Sequence, residues 1–308
     1  MPIRRHSPNT NTPDQFRLSD DEHEAIFRRY IVPLLSSAKP TETPVAVIFG
    51  GQPGSGKSAA VNVAASSLME NGGCVQIIGD DFRGYHPKYA ELMARDDKTA
   101  AYFTDRDTAR WIEKSIAYVL RMKVNVVIEG TMRNHEKVAE TMQNFRSAGY
   151  LVEARAMAVN ERISWMSVLM RYEYQRFDRG TGRMTTPEAH QAGYIGMLET
   201  LDRIENERLA DVVTILGRGG ATIYRKILND IGDSSSLRIK DVVEAERARP
   251  LNPDERKDYI SSCHSLLGLL ERKERNATMQ EKNRHRGHPR HHIREERHEL
   301  NEHSPSDC

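Results

Sequence analysis

Short apolar runs rich in β-branched residues recur along the chain, and segments with helical spacing separate them. Such runs, bounded by glycine or polar turns, are typical of buried strands. The five predicted strands are Val45–Gly50, Cys74–Gly79, Val124–Glu129, Tyr150–Val159 and Asp211–Gly217. A further run, Ala221–Arg225, is a candidate to pair beside the fifth strand.

Apolar residues at helical spacing predict amphipathic helices between these strands. Ser19, followed by three acidic residues, marks the start of the first helix, and Pro40 ends it. Thr186 before Pro187 marks the start of a later helix that continues through Ile204. Other predicted helices begin at Lys57 or cover Asp105–Arg121, Asn134–Ala148 and Glu161–Phe177. The alternation predicts an α/β fold, with a parallel five-stranded sheet and helices on both faces.

Composition restricts the class of protein and its partners. The 308 residues are 38% hydrophobic, and 45 basic residues balance 44 acidic ones, so no overall field attracts nucleic acid. No apolar run approaches bilayer length, and the first residues lack the apolar segment of a signal peptide, so we expect a cytoplasmic protein with no membrane contact. Three widely separated cysteines, Cys74, Cys263 and Cys308, suggest neither a disulfide framework nor a zinc site.

A phosphate-binding loop follows the first strand. The spacing fits G-x-x-x-x-G-K-[ST], in which backbone N–H groups surround phosphates and the lysine reaches the β and γ oxygens. The hydroxyl of Ser58 is the candidate Mg²⁺ ligand, and the positive end of the following helix points at the same anion. The candidate ATP-binding residues are Gly51, Gln52, Pro53, Gly54, Ser55, Gly56, Lys57 and Ser58.

Acidic residues follow the second and third predicted strands. In a parallel sheet, ligands bind outside the carboxyl ends of the strands, so the P-loop and these residues meet at one edge. Asp80 opens a predicted polar loop, Asp80–Pro87, and its carboxylate is a candidate base for an acceptor hydroxyl, although Asp81 is an equal candidate from the residues alone. Glu129 ends the third strand, where a carboxylate commonly orients Mg²⁺-bound water or a neighbouring polar group.

Arginines near the fourth strand are candidates to offset charge on a transferred phosphoryl group. Arg171 lies in the long helix after this strand, and Arg183 lies in a glycine-flanked loop that can close over a nucleotide. Arg176 and Arg179 compete for the same role. Glu113, on the helix before the third strand, is either an ordinary exposed residue or a carboxylate aimed into the acceptor pocket.

Five sequence blocks stand in order along the chain. They are G-G-Q-P-G-S-G-K-S at Gly50–Ser58, D-x-F-R with H-P (Asp80, Phe82, Arg83, His86, Pro87), N-V-V-I-E-G-T-x-R (Glu129, Thr131, Arg133), L-x-R-Y-E (Arg171, Tyr172, Glu173) and R-x-T-x-P-E-x-H (Arg183, His190). Together they resemble the zeta toxins, P-loop kinases of bacterial toxin–antitoxin systems that phosphorylate UDP-N-acetylglucosamine. The resemblance extends from the first helix to about residue 273.

The resemblance implies a role for each matched residue. Asp80, in preference to Asp81, would be the base, and Lys57, Arg171 and Arg183 would act on the triphosphate. The implied substrate-binding residues are Asp80, Phe82, Arg83, His86, Glu113, Glu129, Thr131 and Arg133. ATP and Mg²⁺ would be the cofactors, UDP-N-acetylglucosamine the acceptor, and a small antitoxin protein the partner. The alternatives are a kinase of the same fold with another nucleotide or nucleotide-sugar acceptor, and a non-catalytic, nucleotide-dependent regulatory module.

Changes in composition divide the chain into four parts. We expect a flexible N-terminus at 1–15, a P-loop kinase domain at 16–230, a helical C-terminal extension at 231–280 and a disordered tail at 281–308. Helical spacing in the extension predicts helices over Ile239–Arg247 and Asp254–Lys273. The tail is rich in His and Arg and shows no core-forming pattern.

Overall fold

A six-stranded sheet lies at the centre of the protein, in a computed structural model that describes residues 12–229 and 237–272. The strands are β1 (Val45–Gly50), β2 (Val75–Ile78), β3 (Val126–Glu129), β4 (Leu151–Met157), β5 (Val212–Leu216) and β6 (Thr222–Ile227). They lie side by side in the order β2-β3-β1-β4-β5-β6. The first five are parallel, which confirms the predicted fold. The sheet has one strand more than the predicted five, because β6 turns back after β5 and pairs with it antiparallel.

Helices cover both faces of the sheet, as predicted. In chain order they are α1 (Asp20–Ile26), α2 (Val32–Leu35), α3 (Lys57–Ser67), α4 (Gly79–Phe82), α5 (Tyr89–Arg95), α6 (Ala100–Met122), α7 (His135–Ser147), α8 (Glu161–Arg179), α9 (Pro187–Glu207), α10 (Ile239–Ala248) and α11 (Pro253–Glu271). A π turn at Phe27–Ile31 joins α1 to α2. No helix in the described ranges has both the length and the apolar character that crossing a bilayer requires.

Alternate residues of β1 show how the two faces are packed. Ala46 and Ile48 belong to a buried cluster with side chains of α6, α7, α9 and α10, whereas Val47 and Phe49 belong to a second cluster with α3, α8 and α11. The helices predicted in the C-terminal extension are therefore present as α10 and α11, and each packs on one face of the sheet. The division of the chain near residue 230 stays a prediction.

Two segments are more ordered than the sequence predicted. Pro13–Phe16, which overlaps the predicted flexible N-terminus at 1–15, forms a 3₁₀ helix, and the backbone N–H of Leu18 donates to the buried carboxylate of Asp107 on α6. The polar loop predicted after β2 is the short helix α4 followed by a 3₁₀ turn, Arg83–Tyr85. The predictions for residues 1–11 and for the His-rich tail lie outside the described residues.

The strand register brings the predicted acidic residues and the P-loop to one edge. Glu129, the last residue of β3, lies opposite Phe49 of β1 on one side and Ile78 of β2 on the other. The P-loop follows β1 directly and Asp80 follows β2, so both flank Glu129. This edge is the one at which parallel α/β sheets bind their ligands.

Candidate active site

The P-loop turns sharply between β1 and α3, and glycine makes this turn possible. Gly54 and Gly56 have φ values of 79° and 88°, in the left-handed region that favours glycine. A Cβ atom on Gly54 would lie 2.0 Å from the carbonyl oxygen of Ser164 on α8. Because a contact this close is impossible, α8 fixes the path of the loop and requires glycine at this position.

Lys57 begins α3 and folds back over the P-loop. Its Nζ donates to the carbonyl oxygens of Gly51 at 2.7 Å and Gln52 at 3.1 Å, and only 7% of the residue is exposed. Burial lowers the pKa of the ammonium from 10.5 to about 8, although the nearby carboxylates of Glu129 and Asp80 oppose the change. The structure thus holds a partly desolvated cation at the place where the motif requires a phosphate ligand. Ser58, the next residue, is exposed on the first turn of α3.

Gln52 is one of three buried polar residues of the P-loop, with Ser55 and Lys57. Its Nε2 donates to the carbonyl oxygen of Val159 at 2.8 Å and to Oγ of Ser164 at 3.1 Å. Ser164 Oγ also lies 2.9 Å from Nε2 of His190, the last residue of the fifth sequence block. Burial, with the charges of Arg247 and Lys57, lowers the pKa of His190 to about 4, so this imidazole is neutral at physiological pH. The block therefore supports the P-loop from behind.

Asp80 stands on the first turn of α4, where two arginines hold its carboxylate. Arg83 donates from Nε to Oδ1 at 3.2 Å, and the guanidinium of Arg183 forms an ion pair with Oδ2. Burial alone would raise the pKa of Asp80, but the charges of Arg183 and Arg83 outweigh it and hold the pKa below its usual value. Burial and the charge of Asp80 instead raise the pKa of Asp81. The structure thus separates the two aspartates that the residues alone left equal.

Arg83 is itself fixed by α6. Its guanidinium pairs with Asp105 at 2.5 Å and donates to the carbonyl oxygen of Ala101 at 3.0 Å and to Thr104 at 3.2 Å. Only 14% of its side chain is exposed. Arg83, which follows α4 and is held by α6, therefore orients the carboxylate of Asp80.

The loop between α8 and α9, residues 180–186, lies across the edge of the site; we refer to it as the lid loop. Arg171 of α8 donates to Thr185 at 3.1 Å, and Arg183 reaches Asp80. Burial and the charge of Arg183 lower the pKa of Arg171, and its buried Nε has no hydrogen-bond partner in the described part of the chain. Two guanidinium groups are thus crowded together beside the P-loop.

The competing arginines lie elsewhere. Arg176 donates to the hydroxyl of Tyr172 at 3.0 Å and lies 4.0 Å from the carboxylate of Asp97. Arg179 pairs with its neighbour Asp178, with 69% of its side chain exposed. The charges of Arg171 and Arg183, by contrast, both act on the ammonium of Lys57, so these two arginines lie beside the P-loop.

Asp97, which the sequence did not single out, holds the lid loop in place. Its two carboxylate oxygens accept from the hydroxyl of Tyr172 and from the backbone N–H of Gly182, each at 3.0 Å. The residue lies between α5 and α6, more than 80 residues from the loop in sequence. No local pattern marks such a contact, and the structure alone reveals it.

The turn after β3 forms the other wall of the site. Burial raises the pKa of Glu129 despite the charge of Lys57, and its Oε2 atom is buried without a hydrogen-bond partner in the described part of the chain. Met132 has a φ of 52°, and its carbonyl oxygen accepts from the hydroxyl of Thr200 on α9 at 2.5 Å. This strained turn leaves Thr131 half-buried and Arg133 exposed beside Glu129.

Three residues that the resemblance assigned to the substrate have other contacts. Phe82 and His86 are 3% and 2% exposed; Phe82 packs in the core, and Nε2 of His86 lies 3.1 Å from the carbonyl oxygen of Phe16. Both side chains are thus buried, and the substrate contact that the resemblance implies for them stays a prediction. Glu113 is 54% exposed and pairs with Lys137 of α7 at 3.1 Å. Its place in an acceptor pocket stays a prediction.

Comparisons with known proteins cover most of the chain. Toxin PezT of Streptococcus pneumoniae serotype 4 is 26% identical over 207 residues, which are 67% of this chain and 81% of that protein. Toxin zeta of Enterococcus hirae is 27% identical over 242 residues, 78% of this chain and 78% of that protein. A chain in the structure of the PezAT chromosomal toxin–antitoxin system of S. pneumoniae aligns with a TM-score of 0.72 and 22% identity, over 83% of this chain and 100% of that chain.

The family comparison agrees with these relatives. The sequence model described as Zeta toxin matches residues 34–229. This range contains the P-loop, Asp80, Glu129 and both arginines that face the site. The chain therefore belongs to the zeta toxin family.

Proposed function

We propose that this protein is a kinase that transfers the γ-phosphoryl group of ATP to a sugar hydroxyl of UDP-N-acetylglucosamine. The observation that carries the proposal is the carboxylate of Asp80, which Arg83 and Arg183 hold at the same sheet edge as the P-loop. A nucleotide-dependent regulatory module needs the P-loop but has no need of an acceptor pocket. The identity of the acceptor is taken from the family.

The donor half of the site is suited to a triphosphate. Lys57 and Arg171 are both buried enough to lower their pKa values, so each carries a charge that water solvates poorly. The oxygens of a triphosphate would offset these charges and accept from Arg171 Nε, which otherwise has no partner in the described part of the chain. Backbone N–H groups at the start of α3 add to the same attraction.

The residues present also fit Mg²⁺. The exposed hydroxyl of Ser58 stands at the motif's metal position, and the buried Oε2 of Glu129 is an oxygen without a partner in the described part of the chain, as expected of a group that holds a metal-bound water. When bound, Mg²⁺ would offset charge on the β and γ phosphates. We propose that Ser58 is the direct ligand and that Glu129 contacts the ion's water shell.

Asp80 would orient the acceptor hydroxyl and accept its proton. With its pKa held low, the carboxylate is ionised at neutral pH. In the structure Arg183 pairs with it, but the triphosphate is a stronger partner for a guanidinium. If Arg183 moves to the phosphates, Asp80 loses a charge that lowers its pKa and becomes a stronger base. The same movement would thus clamp the donor and activate the base.

The acceptor half lies beside the turn after β3. Thr131 and exposed Arg133 stand next to Glu129, and Arg133 suits the diphosphate of a nucleotide sugar. Glu113 on α6 pairs with Lys137 of α7, the helix that follows this turn, and a substrate hydroxyl can replace this exposed ion pair at little cost. We assign these residues to the sugar nucleotide.

A small antitoxin protein is the proposed partner. A structure from a toxin–antitoxin system shares the fold over 83% of this chain. An antitoxin that covers the P-loop would block ATP. We propose that the protein acts in the cytoplasm and that its phosphorylated product withdraws a precursor of peptidoglycan.

The direct test is to incubate the purified protein with ATP, Mg²⁺ and UDP-N-acetylglucosamine and to identify the product by mass spectrometry. We expect a gain of one phosphate on the sugar nucleotide, and no product from Lys57→Ala. A folded wild-type protein that binds ATP but leaves this acceptor unchanged would refute the assignment of the acceptor. A screen of other nucleotides and nucleotide sugars then separates a different acceptor from a regulatory module without transfer.

A further inference from the structure

Arg247 of α10 is a buried cation that the proposed reaction does not use. Only 3% of the residue is exposed, and no carboxylate in the described part of the chain forms an ion pair with it. Its Nη1 donates to the carbonyl oxygen of Tyr194 at 2.7 Å, and the guanidinium lies 4.0 Å from the centre of the Tyr194 ring. Burial lowers the pKa of Arg247 to about 10. A buried charge with neutral partners is unfavourable for folding, so its position requires an explanation.

The remaining contact of Arg247 leads to the P-loop. Its Nη2 donates to Oε1 of Gln52 at 3.1 Å, across 195 positions of sequence. An arginine only donates, so this contact fixes which end of the Gln52 amide faces α10. The other end donates to Val159 and Ser164. Each polar atom of the Gln52 side chain thus has a partner, and the side chain has one orientation.

The backbone of Gln52 transmits this orientation to the phosphate site. Its carbonyl oxygen accepts from Nζ of Lys57 at 3.1 Å and from the backbone N–H of Ser55 at 3.2 Å. A second contact ties α10 to the same region, because Nδ2 of Asn160, the residue before α8, donates to the carbonyl oxygen of Arg247 at 3.0 Å. Arg247 therefore connects α10, the start of α8 and the P-loop.

We propose that Arg247 is a positioning residue that sets the P-loop in its nucleotide-binding shape. This role rests on the proposed function. It means that α10, which lies outside the family-matched range 34–229, completes the ATP site. Without Arg247, Gln52 Oε1 is buried without its donor, and the loop that presents Lys57 and the backbone N–H groups loses its fixed side-chain anchor. Preorganised loops bind their ligands more tightly because less ordering accompanies binding.

The test compares the binding of Mg²⁺-ATP by full-length variants in isothermal titration calorimetry. Arg247→Met keeps most of the volume and removes the donors, and we expect it to weaken ATP binding on the order of tenfold or more, as for the loss of a charged hydrogen bond. Arg247→Lys keeps one cationic donor and should recover part of the affinity. The matched control is Arg249→Met. Arg249 follows the last residue of the same helix and pairs with Glu246 and Glu255. We expect this control to stay within about twofold of wild type.

A double-mutant cycle separates positioning from a general loss of stability. In a Gln52→Ala background, Arg247→Met should weaken ATP binding far less than it does in the wild type, because the contact is already absent. If Arg247→Met weakens ATP binding by the same factor in both backgrounds, the proposal is overturned. Wild-type ATP affinity in folded Arg247→Met would also overturn it. If Arg247→Met gives no cooperative thermal melt, Arg247→Lys carries the same cycle. These measurements need no acceptor, so a failure of the acceptor assay leaves them decisive.

Discussion

Replacing Lys57 by methionine should stabilise the protein while it abolishes phosphoryl transfer. Only 7% of the residue is exposed, and its ammonium donates to two backbone carbonyl oxygens. Burial lowers its pKa from 10.5 to about 8, so the folded state holds this proton less tightly than the unfolded state. Methionine keeps the length of the side chain and carries no charge.

The pKa change sets the magnitude. In the unfolded chain the lysine stays protonated up to its ordinary pKa, so the destabilisation is fully present below pH 8 and is relieved as the pH rises from 8 to 10.5. A change of this size is worth about 3 kcal/mol at pH 7 and about 1 kcal/mol at pH 9.5. Lys57→Met also leaves the carbonyl oxygen of Gly51 without its donor, and this loss offsets about 1 kcal/mol of the gain in stability. We therefore expect a net gain of about 2 kcal/mol at pH 7.

Urea unfolding of wild type and Lys57→Met at pH 7, 8.5 and 9.5 measures this difference. The free energies of unfolding should converge as the pH rises, because only the wild type gains stability from deprotonation of Lys57. Other groups that titrate in this range are common to both proteins and cancel in the comparison. If the two curves stay parallel, or if Lys57→Met is less stable at pH 7, the ammonium is not destabilising and the reasoning fails.

Three further substitutions test other parts of the site. Asp80→Asn should lower kcat by a factor on the order of 10² to 10⁴ with ATP affinity retained, because it removes the proposed base and leaves the P-loop unchanged. Asp97→Ala removes the acceptor of the Gly182 N–H in the lid loop and that of the Tyr172 hydroxyl on α8, so trypsin should cleave after Arg183 faster than in the wild type. Gly196→Ala places a Cβ atom 2.4 Å from the carbonyl oxygen of Arg133, so α9 must shift and the melt should show a loss of about 1–3 kcal/mol.

Each of these has a contrary result that is easy to recognise. A near-normal kcat in Asp80→Asn would show that this carboxylate does not accept the proton. For the lid loop, Asp96→Ala is the control, since Asp96 caps its own turn through Thr99; equal cleavage rates in the two variants would show that Asp97 does not hold the loop. For α9, Gly268→Ala is the control, because its added Cβ meets no atom within 4 Å.

The sequence predicted the sheet and the donor half of the site because their signals are local. The P-loop is a contiguous motif between a strand and a helix, and each parallel strand is a short apolar run. The sequence makes β6 only a candidate strand, because Thr222–Ile227 is largely exposed and its pairing depends on the turn after β5. The sequence predicts a loop in place of α4, because four residues are too few to show a helical period.

Contacts between distant positions explain what the sequence left open. Asp80 and Asp81 are neighbours of equal character, and only the approach of Arg183 from the lid loop distinguishes them. Asp97 and Arg247 have no distinctive local surroundings, since charged residues are common along this chain. Burial is the signal that marks Arg247, and burial of a residue on an amphipathic helix depends on which side packs against α9.

The cations of the site connect its stability to its function. Burial is the main cause of the lowered pKa values of Lys57 and Arg171, so these cations are poorly solvated in the folded protein. This desolvation destabilises the folded protein, and the oxygens of a bound triphosphate relieve it. ATP should therefore raise the melting temperature of the wild type more than that of Lys57→Met, because the substitution has already removed one of the poorly solvated cations that ATP would pair with. The same buried cations that lower the stability of the folded protein would thus strengthen its binding of ATP.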